Sequence, residues 1–360
     1  MLAMVSLELC ALTKSWPGAT VDVSLIAEAG KVLAVAGPSG CGKSTMLRMA
    51  AGLERPDSGR VLVGGRDVTD AESRDRGIGM VFQDYALFPH LDVAGNVSYG
   101  LRSRRQDRPS SGEIAARVSK LLDAVDLAGF GRRKPHELSG GERQRVALAR
   151  TLAVEPSIVL FDEPLSSLDA ALRKRLRSDI VDEQRRLGFT AVYVTHDLEE
   201  AMAIGDSLAV MESGRILQSA SPREVWSAPS SVAVARFMGS GPCLPVVRME
   251  LAPNGLEAIT AAGRFPLPPD YSVDALSPNG RYYLFFERSA AMVGAGNSGN
   301  AGSFAASCLR VDFAGDAVDC LMDSGGERFN LRFPVREAPA PGTAYRFTVS
   351  VDRTRILPAD

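Results

Sequence analysis

The chain has 360 residues, and its 41 Lys and Arg nearly balance its 43 Asp and Glu, which gives a formal net charge of −2. This balance excludes a nucleic-acid-binding protein that works through bulk positive charge. With 45% hydrophobic and 23% charged residues, the composition also excludes a disordered chain, and the length favours two domains.

From residue 1 to about 238, short apolar runs alternate with helical patterns. Apolar runs without polar alternation predict strands buried on both faces, and hence a parallel sheet covered by helices, which is the α/β pattern. Two further segments, around Leu7–Ala11 and Val61–Val63, predict a small antiparallel side sheet. The apolar runs are Val32–Ala36, Ile158–Phe161, Ala191–Val194 and Leu208–Met211, and the helical stretches are Lys43–Ala51, Gly141–Ala153 and Ala170–Leu187.

The composition changes after Met238. Gly239–Pro242 has the residues of a linker. Beyond it, short alternating segments such as Arg281–Phe286 are separated by Pro and Gly, a pattern that predicts a small all-β domain. We therefore predict two domains, residues 1–238 and 239–360.

Gly37–Ser44 fits the P-loop pattern, and it follows a predicted strand and opens a predicted helix, which is the context that the pattern requires. Glycines let the backbone N–H groups and the helix N-terminus face phosphate groups. Lys43 would reach the β- and γ-phosphates of a nucleotide, and Ser44, with Thr45 beside it, would bind Mg²⁺. A Gly-rich turn with a chance Lys-Ser pair is the alternative, but it does not explain the strand and the helix.

Leu138–Arg145 precedes a predicted helix. Ser139 and Glu142 have the spacing of a capping box, which accounts for those two residues but not for Gly140 and Gly141. Two glycines at a helix N-terminus, where N–H groups are unpaired, leave room for a phosphate to approach closely. The segment therefore predicts a helix start that also contacts phosphate.

The apolar run Ile158–Phe161 ends in two acidic residues, Asp162 and Glu163. Open α/β sheets bind their ligands at the carboxyl ends of the strands. Alone, the pair would be two solvated acids at a strand end. Together with the P-loop, the pair predicts a catalytic site in which Asp162 holds Mg²⁺ and Glu163 polarises the attacking water.

Taken together, these motifs resemble those of ABC-transporter ATPases. Leu138–Arg145 is similar to the signature motif of that family, Gln83 to its Q-loop, Ser166–Asp169 to its D-loop and Thr195–Asp197 to its switch histidine. Six motifs occur in the family's order, over roughly residues 5 to 238. Few other P-loop families carry anything like the signature motif.

The resemblance implies a P-loop NTPase core with an antiparallel side sheet, an inserted helical subdomain at about 85–155, and a small oligomer-binding-type (TOBE-like) β domain at the end. It further implies a head-to-tail homodimer with two ATPs, in which the signature of one chain caps the phosphates held by the other. The implied catalytic residues are Glu163, His196 and Gln83; the Mg²⁺ residues are Ser44, Gln83 and Asp162; the signature residues are Ser139, Gly140, Gly141 and Glu142; the D-loop residue is Asp169; the nucleotide-binding residues are Trp16, Gly37, Pro38, Ser39, Gly40, Cys41, Gly42, Lys43, Ser44 and Thr45.

Trp16 and Cys41 carry more specific expectations. Trp16 is placed by the resemblance where an aromatic ring stacks on adenine, and a ring at the rim of the site is the alternative. Cys41 is close to a helix N-terminus and to Lys43, which should lower the pKa of its thiol and raise its reactivity. A position that merely requires a small residue is the other explanation for Cys41.

Within this family, an importer ATPase fits best. The chain has one ATPase unit, no sustained heptads, no run of about 18 apolar residues and no basic N-terminal leader. Its five scattered cysteines favour a reduced, cytosolic setting. The resemblance implies a peripheral subunit at the cytoplasmic face of the inner membrane, with an integral-membrane permease and, indirectly, an extracytoplasmic binding protein as partners, and no nucleic acid.

The transported substrate is harder to predict, because the permease and binding protein select it. Arg215–Pro222 and Phe237–Gly241 look most like the ferric-iron branch of the family. Importers of polyamine, sulfate, thiamine or sugar remain alternatives. Phe286–Ser289 departs from the Arg-Pro-Glu usual in the C-terminal domain. A different class, a soluble ABC ATPase that acts on a macromolecule, is also open.

Overall fold

The computed structural model describes residues 4–103, 109–166, 170–253, 255–269, 271, 280–294 and 301–359. The chain divides by its internal contacts into two compact units, residues 1–222 and 223–360, which are described separately. Within the described part of the chain, no helix combines the length and the apolar character that crossing a bilayer requires.

The first unit contains two sheets and six helices among its described residues. Its strands are β1 (Leu7–Trp16), β2 (Ala19–Ala27), β3 (Val32–Ala36), β4 (Ser58–Val63), β5 (Arg66–Asp67), β6 (Ile78–Val81), β7 (Ile158–Asp162), β8 (Thr190–Thr195), β9 (Ser207–Glu212) and β10 (Arg215–Ala220). Its helices are α1 (Lys43–Ala51), α2 (Val93–Arg102), α3 (Ser111–Ala124), α4 (Gly140–Ala153), α5 (Ala170–Leu187) and α6 (Leu198–Ile204).

The larger sheet has the order β10-β9-β3-β8-β7-β6. Strands β9, β3, β8, β7 and β6 are parallel to their neighbours, and β10 closes an antiparallel hairpin with β9. Every residue of β3, β7 and β8 is buried, which confirms the predicted core of continuous apolar strands. Because these strands are parallel, the residues that follow β3, β6, β7 and β8 meet at one edge of the sheet.

The smaller sheet is antiparallel, in the order β2-β1-β4-β5, and it confirms the predicted side sheet. The helical subdomain of the predicted fold is also present. Helices α2, α3 and α4 lie in sequence between β6 and β7 and share an apolar core that includes Val97, Val118, Leu122 and Val146.

The second unit is β-rich, as predicted. It contains α8 (Val232–Met238), preceded by α7 (Pro222–Ser227) at the boundary, and the strands β11 (Cys243–Ala252), β12 (Gly255–Thr260), β13 (Gly263–Pro266), β14 (Tyr282–Phe286), β15 (Met292–Val293), β16 (Ala301–Ala314), β17 (Ala317–Ser324), β18 (Glu327–Pro334), β19 (Ala344–Ser350) and β20 (Thr354–Pro358). The sheet order is β15-β19-β16-β13-β12-β11-β14-β20, and β17 and β18 extend it from β16.

Helix α8 belongs to the second unit by its contacts. Val232 and Ala235 are buried in a cluster with Phe285 and Leu357, which lie on β14 and β20. The sequence places the division after Met238, so it assigns α8 to the ATPase domain, whereas the contacts place α8 with the β domain. The sequence of a short apolar helix such as α8 indicates that the helix is buried. It does not indicate which strands the helix packs against.

A buried arginine caps the C-terminal end of α1 with hydrogen bonds. The guanidinium of Arg76, only 5% exposed, donates to the carbonyls of Met49 at 2.8 Å, Ala50 at 3.0 Å, Thr69 at 2.6 Å and Ala71 at 3.0 Å. Two of these carbonyls are in the last turn of α1, where intrahelical donors are missing and a positive charge is favoured.

We expect Arg76→Ala to lower the free energy of unfolding by about 2–4 kcal/mol, because four carbonyls, two of them buried, lose their bonds to the guanidinium. Urea unfolding followed by circular dichroism measures this loss. Arg76→Lys is the matched variant: it keeps the charge but not the forked geometry, so it should recover only part of the loss. An alanine variant as stable as the wild type would contradict the capping role.

Candidate nucleotide site

The loop between β3 and α1 has the form that phosphate binding requires. Gly40 and Gly42 have φ values of +82° and +105°, a region that favours glycine. A Cβ at Gly42 would lie 2.5 Å from Cγ2 of Val21, whereas a Cβ at Gly40 would meet nothing within 4 Å. Pro38 and Ser39 are exposed with Gly40. The tip of the loop is therefore open to a ligand, and its base is packed against the side sheet.

Lys43 lies at the centre of this loop. Its side chain is 4% exposed, and Nζ donates to the carbonyls of Gly37 at 2.8 Å and Pro38 at 2.9 Å. The ammonium group is thus held against the loop, next to the N-terminus of α1, where anions are favoured.

Ser44 and Asp162 come together as predicted for a metal site. Ser44 Oγ donates to Asp162 Oδ1 at 2.8 Å. Burial raises the pKa of Asp162 above its usual value, and the hydrogen bond from Ser44 opposes this rise. A hydroxyl and a carboxylate are hard oxygen ligands, and Mg²⁺ commonly takes one or two such protein ligands together with substrate phosphates. These two residues fit Mg²⁺.

Glu163 links the lysine to the predicted switch histidine. Its Oε2 lies 2.9 Å from Nδ1 of His196, and its Oε1 lies 3.9 Å from Nζ of Lys43. Glu163 has φ +45°, which is unusual for a residue with a side chain, and its N–H donates to the carbonyl of Val194 at 3.0 Å. The end of β7 is therefore held in a strained conformation that points the carboxylate between a lysine and a histidine.

Gln83 is connected to Glu163 through Ser166. The sequence places Ser166 in the D-loop segment but predicts no role of its own for it. Gln83 Nε2 donates to Ser166 Oγ at 3.1 Å, and Ser166 Oγ donates to the carbonyl of Glu163 at 3.0 Å. A serine three residues after a catalytic carboxylate is the signal that could have identified it. Asp169, predicted for the D-loop, lies outside the described residues, as do Ser167 and Leu168.

The signature residues form the start of α4. Ser139 is the N-cap: its Oγ accepts from Glu142 N–H at 3.3 Å, and its own N–H donates to Glu142 Oε2 at 2.6 Å. That backbone N–H lowers the pKa of Glu142 below its usual value. Within the described residues, the polar contacts of Ser139, Glu142 and Arg143 stay in the segment 133–143 and do not reach the phosphate loop.

Trp16 ends β1 and pairs with Ala19 across the turn to β2. Val21, two residues further along β2, lies next to the position of Gly42. The indole is 38% exposed. The stacking of this ring on adenine stays a prediction.

The expectation for Cys41 is wrong. Its side chain is 8% exposed, and burial raises the pKa of the thiol, outweighing the opposite effect of Lys43. The sequence shows the nearby cation and the helix start, but not that the sulfur faces inward. The small-residue explanation fits this environment, since a Cβ at Gly37 would lie 2.9 Å from Sγ of Cys41.

A thiol with a raised pKa is a poor nucleophile at neutral pH, because the thiolate is the reactive form. We expect iodoacetamide at pH 7 to label the half-buried Cys10 and Cys243 before Cys41, as measured by peptide mass spectrometry. Labelling of Cys41 should rise with pH up to its raised pKa. A bulky adduct there should block ATPase activity, bound MgATP should protect against it, and Cys41→Ala should stay active. Labelling of Cys41 first at pH 7 would contradict its burial.

The sequence matches a family profile described as ABC transporter over residues 20–166. Among curated proteins, it is 54% identical over 224 residues to the Fe(3+) ions import ATP-binding protein FbpC of Agrobacterium fabrum, an alignment that covers 62% of this chain and 63% of that protein. It is 43% identical to FbpC 1 of Rhizobium meliloti over 89% of this chain and 88% of that protein. The spermidine/putrescine import ATP-binding protein PotA of Acidothermus cellulolyticus is 44% identical over 73% of this chain and 72% of that protein.

Two solved structures are similar in fold to part of this chain. cbiO1 from Clostridium perfringens, part of an ABC transporter complex, is 29% identical with a TM-score of 0.57, and the superposition covers 63% of this chain and 92% of that one. An ATP-binding cassette solved as a dimer in a post-hydrolysis state with ADP and phosphate is 31% identical with a TM-score of 0.54, and the superposition covers 60% of this chain and 99% of that one.

Proposed function

Because the chain belongs to the ABC transporter family of ATP-binding proteins, we propose that it hydrolyses ATP to drive import through a separate permease. The observation that carries this proposal is the convergence of Lys43, Glu163 and His196 at the carboxyl edge of the parallel sheet, beside an open phosphate loop. The test is ATPase activity of the purified protein with Mg²⁺, and its stimulation by the permease.

In this proposal the loop and the N-terminus of α1 bind the phosphates of ATP, and Lys43 exchanges its two carbonyl partners for phosphate oxygens. Glu163 orients and polarises the attacking water. In this proposal Nδ1 of His196 donates to the carboxylate of Glu163, which assigns the ring proton to Nδ1. His196 thereby fixes the carboxylate for its task.

Ser44 and Asp162 would hold Mg²⁺, which supplies positive charge to the phosphate oxygens when bound. Gln83 would complete that site. Its bond to Ser166, whose hydroxyl donates to the carbonyl of Glu163, supports this role. Trp16 would stack on the adenine.

We propose further that two copies pair head to tail, so that Ser139, Gly140, Gly141 and Glu142 of one chain cap the phosphates bound by the other. Two observations support this pairing. Among the described residues, the polar contacts of Ser139 and Glu142 stay within residues 133–143 and do not reach the phosphate loop of the same chain. A solved ATP-binding cassette similar to this chain is dimeric. Asp169 would contribute to the same interface. The dimer would sit at the cytoplasmic face of the membrane.

For the substrate we propose ferric ion, which the names of several relatives give for those proteins. A polyamine is the second candidate, since another relative is named for spermidine and putrescine. The two are separated by uptake of radiolabelled Fe(III) and spermidine in cells that lack this chain, with and without its re-expression. Loss of iron uptake alone supports the proposal, and loss of spermidine uptake alone overturns it.

The soluble alternative, an ABC ATPase that acts on a macromolecule, predicts no membrane partner. Fractionation of cells distinguishes the two classes: an importer subunit should sediment with membranes in the presence of its permease and leave them when the permease is deleted.

A further inference from the structure

A carboxylate without an assigned role is buried next to the nucleotide site. Glu200 lies in the first turn of α6, and its side chain is 4% exposed. Burying an ionised carboxylate is unfavourable unless its oxygens are hydrogen-bonded. Glu200 Oε1 accepts from the hydroxyl of Tyr193, and Oε2 accepts from Thr195 Oγ1 at 2.5 Å. Both oxygens are therefore held by side chains of the neighbouring strand β8.

These two partners point to the same face of β8, because side chains two residues apart in a strand do so. Thr195 is the last residue of β8, and His196 follows it directly. The Thr195 hydroxyl donates to Glu200 and accepts the backbone N–H of Asp197 at 3.0 Å. The residues on either side of His196 are thus tied to one buried group.

A second set of contacts holds Asp197, the residue that follows His196. Asp197 Oδ1 accepts the backbone N–H of Glu200 at 3.1 Å, which caps α6, and Asp197 Oδ2 accepts from Nη1 of Arg173 at 3.1 Å. The side chain of His196, in contrast, is 48% exposed. Packing therefore holds the imidazole weakly, and the backbone around it determines where the ring lies.

Both oxygens of Glu200 accept hydrogen bonds from hydroxyl groups, a pattern that a carboxylate satisfies without donating. Burial, and after it the charge of Glu200, raises the pKa of Tyr193 well above its usual value, so the phenol remains a donor.

We propose that Glu200 is a positioning residue for ATP hydrolysis: it fixes the backbone at 195–197 and so holds the His196 ring at its 2.9 Å distance from Glu163. The proposal rests on the ATPase function proposed above. Glu200 itself has no contact with ATP in this arrangement.

The first test is Glu200→Gln, which keeps the shape but turns one acceptor into a donor. We expect kcat to fall about 10- to 100-fold, because a displaced catalytic group is costly, while KM for ATP stays within about twofold. Glu199→Gln is the matched control, since Glu199 is the exposed neighbour on the same helix and loses the same charge. It should behave as the wild type.

If Glu200→Gln does not fold, the two hydroxyl partners provide the test. Tyr193→Phe removes one of the two hydroxyl groups that donate to Glu200, and the bond between Thr195 and the backbone of Asp197 remains. Thr195→Val removes the other donor to Glu200 and also the bond to Asp197. Thr195→Val should therefore lower kcat more than Tyr193→Phe. The reverse order would contradict the proposal.

A structural readout separates this inference from the ATPase function. The chain has three histidines, so ¹⁵N-histidine NMR reports on three imidazole rings, with two ring nitrogens each. In Glu200→Gln the signals of His196 should shift while those of His90 and His136 stay. In a His196→Ala background, Glu200→Gln should cost no further activity, because it acts through the ring. Unchanged His196 signals, or a full additional loss in that background, would overturn the proposal. A wild-type protein without ATPase activity would instead overturn the function, and the NMR comparison would still test Glu200.

Discussion

Glu163→Gln is expected to bind ATP as the wild type does and to lose turnover by about 10²–10⁴-fold. The amide has the size of the carboxylate, but it cannot act as a base. Its oxygen could still accept from His196, and the amide nitrogen would face Lys43 in place of a negative charge. Because hydrolysis ends the ATP-bound state, the variant should also keep the dimer together longer. Single-turnover ATP hydrolysis, with nucleotide binding measured separately, checks both expectations.

Glu155→Gln is the matched control for this variant. Glu155 has a similar positive φ of +54°, but it is exposed and pairs with Arg117 away from the loop. It should keep full activity. Hydrolysis at the wild-type rate in Glu163→Gln would remove Glu163 from the mechanism and leave the sheet edge without an assigned base.

The second large effect is expected for Ser139→Arg, which should abolish hydrolysis without preventing a single chain from binding nucleotide. The arginine would break the capping box with Glu142 and place bulk and charge where the partner's phosphates are proposed to lie. Loss of the cap alone costs about 1 kcal/mol of stability, which is too little to unfold the helix. Ser139→Ala, which loses the cap without adding bulk, is the control for that part.

Mixing Ser139→Arg chains with Lys43→Ala chains tests the head-to-tail arrangement directly. Each mixed dimer has one site that combines the intact loop of the first chain with the intact signature of the second, and one site that combines both defects. Activity should therefore return on mixing two inactive proteins. If the mixture stays inactive while mixed dimers form, the signature does not act on the partner's nucleotide.

The sequence indicates which candidate residues meet where the arrangement depends on the order of strands and loops along the chain. The phosphate loop, Asp162 and Glu163, and His196 each directly follow or end a buried strand, and parallel strands bring such positions to one edge of the sheet. The sequence does not indicate which way a side chain faces once the chain is packed. The thiol of Cys41 is buried by surrounding parts of the fold, although its neighbours in the sequence suggest an accessible group. Glu200 and Thr195 are only five residues apart, but their contact depends on the turn that leads from β8 into α6.

The hydrogen bonds of Lys43 to the carbonyls of Gly37 and Pro38 make its ammonium group an internal cross-link of the loop. Lys43→Ala therefore removes this cross-link as well as the proposed phosphate contact. Weak ATP binding by that variant would then reflect both an altered loop and a missing positive charge. Comparing the melting temperatures of the variant and the wild type without nucleotide measures the first contribution separately.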